Sequence, residues 1–116
     1  MKPILILTDN QQIIEAVREE VYKIDPESAS KMVVVRKKND AISKLRNQKF
    51  EAILLDSADE KNYDFLFEYN CPSLLMTHPL ERDEVEYFIK IGVKKILYYP
   101  CPPDQIANHF KRLIKS

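Results

Sequence analysis

Five short apolar runs punctuate the chain, at 4–7, 32–35, 52–55, 74–76 and 96–97, and none alternates apolar with polar residues. A strand made from such a run must be buried on both faces, as in a parallel sheet with helices on either side. The intervening segments carry helical spacing. Ile13, Ile14, Val17 and Val21 form one stripe, with Asp9 or Asn10 as its N-cap; Ala41, Ile42 and Leu45 form a second, capped by Asn39 or Asp40. Phe65, Leu66 and Tyr69 predict a short third helix, and Val85, Phe88 and Ile89 a fourth that stops at Gly92. Ile106, Phe110, Leu113 and Ile114 make a fifth after Pro102 and Pro103, where proline suits a helix start.

The spacing therefore predicts an α/β fold, βα repeated five times, with strands near 3–7, 32–36, 52–56, 73–77 and 95–99. Right-handed crossovers favour a five-stranded parallel sheet of order 2-1-3-4-5 with helices on both faces, flavodoxin-like in class. At 116 residues, 1–116 is a single domain. In this topology ligands bind where the strand order reverses, at the carboxyl ends of strands 1 and 3. Asp9 and Asp56 stand at those two ends, and Thr77 at the next. The strand before Arg36 contributes no site residue.

Composition narrows the chemistry further. Eighteen basic residues balance eighteen acidic ones, which gives no support for nucleic-acid binding through a broad basic surface. The N-terminal apolar run is too short for a signal peptide or a membrane span, so the expected location is cytoplasmic. Gly92 is the single glycine, so no glycine-rich loop can cradle a phosphate, and neither a nucleotide nor a flavin is expected. Cys71 and Cys101 fall at opposite ends of the sheet and read as free thiols. No nucleophile–base pair stands out, so the chain is not read as an enzyme. Two neighbouring carboxylates repel, and magnesium relieves that repulsion when held by carboxylates, waters and a phosphate; an aspartate can also accept a phosphoryl group.

The segments 4–10, 52–56 and 74–77, with Gly92 preceding a strand that ends in Tyr99 and Pro100, resemble receiver domains of two-component response regulators, the chemotaxis-regulator or (βα)5 fold, over essentially the whole chain. The resemblance implies that Asp56 is the phosphoacceptor position. It implies a magnesium site made of Asp9, Asp56 and the Ala58 carbonyl, and it makes Thr77 the switch hydroxyl. It also implies a histidine kinase or phosphotransfer protein and an effector as partners.

Several positions depart from the pattern. Thr8 stands where the first acid of a pair is expected, and Tyr99 where a lysine should precede the proline. His78 follows Thr77 where a small residue is usual and would cover the pocket, and Ile96 holds the usual place of a switch aromatic. The loop 57–62 lacks its customary Met-Pro and Gly, although Asp59 and Glu60 could lend carboxylates to an otherwise weak magnesium site. An aromatic residue before Pro100 favours a cis bond, and Tyr99 could hydrogen-bond His78 across the pocket.

The resulting expectation is a pseudo-receiver that acts in phosphorelay signalling as a protein-interaction module, with weak or absent phosphorylation. The alternatives are a working phosphoacceptor at Asp56 with magnesium, and a small flavodoxin-like cofactor-binding domain. Glu81, Asp83, Glu84 and Glu86 on the fourth helix and His109, Lys111, Arg112 and Lys115 on the fifth suggest a homodimer through those helices, with Tyr87 and Tyr98 as interface aromatics. Ordinary solvated faces are the favoured reading of these charges, and the homodimer is the alternative.

Overall fold

A computed structural model describes residues 1–56 and 63–115. Its five strands, β1 (Ile4–Leu7), β2 (Val33–Val35), β3 (Ala52–Asp56), β4 (Ser73–Thr77) and β5 (Val93–Tyr98), are all parallel and ordered β2-β1-β3-β4-β5. The absence of alternation in the apolar runs has its physical reason here, because each sheet face meets its own helical layer. Leu5, Leu7, Ile53, Leu55 and Leu75 pack beneath α3 (Lys38–Asn47), a 3-10 turn (Asp64–Phe67) and α4 (Arg82–Lys90). Ile4, Ile6, Leu54, Leu74 and Met76 pack beneath α1 (Gln11–Ile24), α2 (Pro26–Ser30) and α5 (Pro103–Lys115). Each central strand thus buries both sets of side chains.

The helix termini show how local chemistry sets the frame. Asn10 caps α1, its Oδ1 accepting from the backbone N–H of Gln12 at 2.9 Å and of Ile13 at 3.3 Å. α4 ends one residue before Ile91, and Gly92 at φ +110° turns the chain into β5. α5 opens at Pro103, with the Pro102 carbonyl accepting from Gln105 and Ile106. Lys111 of α5 donates to Glu20 of α1 at 3.1 Å, pinning the two helices that share a sheet face. That bond, followed by Lys23, holds the Glu20 carboxyl below its ordinary value.

Four sequence expectations need correction. The third helix is only the 3-10 turn, because Leu66 alone is fully buried there while Phe67 is exposed. α3 begins at Lys38, so Asn39 and Asp40 lie inside it and Lys37 occupies the cap position without a side-chain bond. Ile89 is 61% exposed, and α4 seats itself through Phe88 instead. The short helix α2 was not anticipated, although Asp25 followed by Pro26 is a start signal; Asp25 accepts from Glu27 N at 3.2 Å and Ser28 N at 3.4 Å.

Candidate functional site

The register of the two central strands builds the site. Leu7 pairs with Leu55, so the next residues, Thr8 and Asp56, meet at the carboxyl end of the sheet. Thr8 is 1% exposed, and its hydroxyl donates to Asp56 Oδ2 at 2.5 Å. The Thr8 Oγ1 in turn accepts the Asn10 N–H at 3.0 Å. Thr8 therefore ties the start of α1 to the β3 carboxylate. Burial pushes the Asp56 carboxyl above its ordinary value; the Thr8 bond pulls it down, and the negative charge of Asp9 pushes it up again.

Asp9 lies just outside this bond. Its side chain is 80% exposed, and its Oδ1 stands 3.8 Å from Arg36 Nε. The contact follows from topology. β2 runs beside β1, the Thr8 N–H donates to the Val35 carbonyl at 3.0 Å, and Arg36, the residue after β2, reaches across the end of β1. Sequence reasoning gave the end of β2 no site residue; the structure places Arg36, the residue after that strand, beside Asp9. The available signal was that β2 flanks β1 in a 2-1-3-4-5 sheet, so the residue that follows it borders Asp9.

On the other side of Asp56, β4 brings Thr77 to the same sheet end, with Asp56 in register with Met76. The Thr77 carbonyl accepts the Tyr99 N–H at 2.9 Å, and the Tyr99–Pro100 bond is cis, as its sequence favoured. The Tyr99 ring packs against His78, centroids 5.1 Å apart and planes at 55°. The relation expected between these two side chains was a hydrogen bond; the structure has a ring contact. His78 itself is exposed, while Tyr99 is half-buried against the apolar layer of α1 and α5. Ala58, Asp59 and Glu60, assigned or offered as metal ligands, lie outside the described residues.

Elsewhere, Tyr87 donates from its hydroxyl to Asp64 and is half-buried, so it fastens α4 to the 3-10 turn. Burial and then that carboxylate push the Tyr87 phenol up to about 12. Tyr98 is 42% exposed at the end of β5. Cys71 and Cys101 are free, at opposite ends of the sheet, and burial pushes the Cys71 thiol up to about 12.

No protein-family model matches the sequence, and no curated protein matches it. Solved structures do match. A response regulator from Thermotoga maritima aligns over 100% of both chains at 17% identity and a TM-score of 0.68. The signal receiver domain of a signal transduction histidine kinase from Syntrophus aciditrophicus covers 99% of this chain and 91% of its own, at 20% identity and a TM-score of 0.67. An orphan response regulator of H. pylori reaches a TM-score of 0.74 at 8% identity, covering 97% of this chain and 96% of its own. The chain has the receiver fold. The parallel strand order is that of this fold. Among the described residues no helix is long and apolar enough to cross a membrane.

Proposed function

We propose that this chain is a receiver-type module of two-component signal transduction that works through protein–protein interaction, with phosphorylation of Asp56 weak or absent. The observation that carries this reading is the Thr8–Asp56 bond. The carboxylate that should attack a phosphoryl group already accepts a hydrogen bond from a buried hydroxyl. Tyr99 supports the same reading from β5. A lysine there would give a phosphorylated state a charge-assisted contact of about 1.5–3 kcal/mol. Near-complete switching of a two-state domain needs about 5.5 kcal/mol of differential stabilisation, so its loss is a large fraction of the requirement.

The donors among the described residues do not suit a resident hard cation. Among the described residues no group of three His, Cys, Asp or Glu side chains converges. Of the two carboxylates at the sheet end, Asp9 faces a guanidinium and Asp56 accepts from Thr8. Magnesium would need to displace the first and compete with the second.

The partners this reading calls for are a histidine kinase or phosphotransfer protein and an effector, in the cytoplasm. The surface offered is that of α4, β5 and α5. Glu81, Asp83 and Glu86 are exposed on or beside α4, while Arg112 on α5 and Lys94 and Lys95 on β5 are exposed and basic. Burial, then Lys95 and Arg112, hold the His109 imidazole below its ordinary value, which supports a positive edge there. A two-fold arrangement could set acid against base. Incubation with phosphoramidate and magnesium, read by intact mass, tests the proposal. No adduct is expected on the wild type; a stoichiometric one that disappears in Asp56→Asn would overturn it.

A further inference from the structure

We propose that Arg36 is a counter-cation supplied by the chain itself, standing where the fold would otherwise recruit a divalent metal ion, so that the pocket discriminates against such ions. The inference rests on the receiver reading of the site and deepens it.

Charge around the pocket is the first argument. The resemblance implies three carboxylates, two after β1 and one after β3. Thr8 replaces the first with a neutral hydroxyl that donates to Asp56. Arg36, with its Nε 3.8 Å from Asp9 Oδ1, offsets the second. Among the described residues, three negative charges have become, in effect, one, and that one is partly desolvated on Asp56.

Position is the second. Arg36 follows β2, which pairs with β1 in register up to Leu7–Val35. The Thr8 N–H to Val35 carbonyl bond carries this pairing one step past the strand, so the base of Arg36 is fixed at the level of the site. Its side chain is 73% exposed, and the pair adds little to folding stability. Its effect on an incoming cation does not depend on that stability. A fixed unit charge repels a divalent ion at ~5 Å even through bulk water, which weakens binding about tenfold. Salt screens such a repulsion, so the effect must shrink as ionic strength rises. No such screening is expected of a purely steric or packing role.

Manganese titration of the 15N-labelled full chain provides the test, read by paramagnetic broadening of the backbone amides of Thr8, Asp9, Asn10 and Asp56. Arg36→Ala should bind about tenfold more tightly than the wild type at low salt, with the gap narrowing at high salt. Arg36→Lys, which keeps the charge and loses the guanidinium shape, should behave as the wild type. Equal affinity in the wild type and Arg36→Ala would overturn the proposal, as would a gap that salt leaves unchanged or a lysine variant that binds like alanine. The readout is independent of Asp56 chemistry: a silent Arg36→Ala would sink this inference alone, whereas a phosphoryl adduct on Asp56 would sink the module reading.

Discussion

Replacing Thr8 by valine keeps the shape of the side chain and removes the hydroxyl that ties β1, α1 and β3 together. Two hydrogen bonds disappear, the 2.5 Å donation to Asp56 and the 3.0 Å acceptance from the Asn10 N–H. The first is charge-assisted and contributes about 1.5–3 kcal/mol, the second ~0.5–1.5 kcal/mol. The additional buried methyl returns roughly 0.8 kcal/mol, so Thr8→Val should destabilise by about 1–4 kcal/mol. For a chain of 116 residues the unfolding entropy is roughly 0.24 kcal/mol/K, and the Tm should fall by about 5–15 °C.

The loss should also depend on pH, with a sign that can be worked out. Burial already raises the Asp56 carboxyl above its unfolded value, and Thr8 opposes that rise. Without the hydroxyl the folded variant holds its proton to still higher pH. Its stability relative to the wild type then declines as pH rises above the ordinary carboxylate range. Denaturant unfolding of both proteins between about pH 4 and pH 8 measures this directly. A variant as stable as the wild type, or a deficit that is flat in pH, would refute the bond's assigned role.

Other substitutions probe the rest of the account. Asp56→Asn removes the burial-raised carboxyl, so it should stabilise the fold at neutral pH, and thermal melts should show the gain vanishing as pH falls below the ordinary carboxylate value. Gly92→Ala meets no neighbouring atom within 4 Å, but it forces an L side chain to φ +110°. It should cost about 1–2 kcal/mol in denaturant titration, with an unchanged m-value. Phe110→Ala, at a fully buried position on the inner face of α5, should cost about 3–5 kcal/mol. Its loss should exceed that of Gly92→Ala in the same assay.

Most of the frame was legible because each strand is buried on both faces and each main helix carries a stripe. Leu5 and Leu7 serve one layer while Ile4 and Ile6 serve the other, so the run 4–7 shows no alternation and could be read as a central parallel strand. Pro103 and Gly92 marked real helix ends because each acts through its own backbone. The errors came where tertiary contact overrides local signals. Ile89 fits the stripe of α4, but the helix seats on Phe88 and leaves Ile89 in solvent. Asn39 and Asp40 are good caps by type, yet α3 starts before them at Lys38.

The candidate site divides in the same way. Asp9, Asp56, Thr77 and Tyr99 could be placed at one sheet end, because strand ends follow from strand order. What each polar atom engages could not be read so easily. Thr8 looked like the absence of an acid and is in fact a donor to Asp56. Arg36 looked like a charged residue after an unremarkable strand, and only the flank of β2 on β1 brings it to Asp9. Side-chain pairing across strands depends on register, which no single run displays.

The central claim is that Asp56 is held by Thr8 in a pocket that does not switch on phosphoryl chemistry. Titration with beryllofluoride and magnesium, followed by the backbone amide shifts of Asp9, Asp56, Thr77 and Tyr99, tests it most directly. No saturable shift is expected at millimolar magnesium. Saturable shifts that extend to α4 and α5 and vanish in Asp56→Asn would contradict the account and make this a live phosphoacceptor.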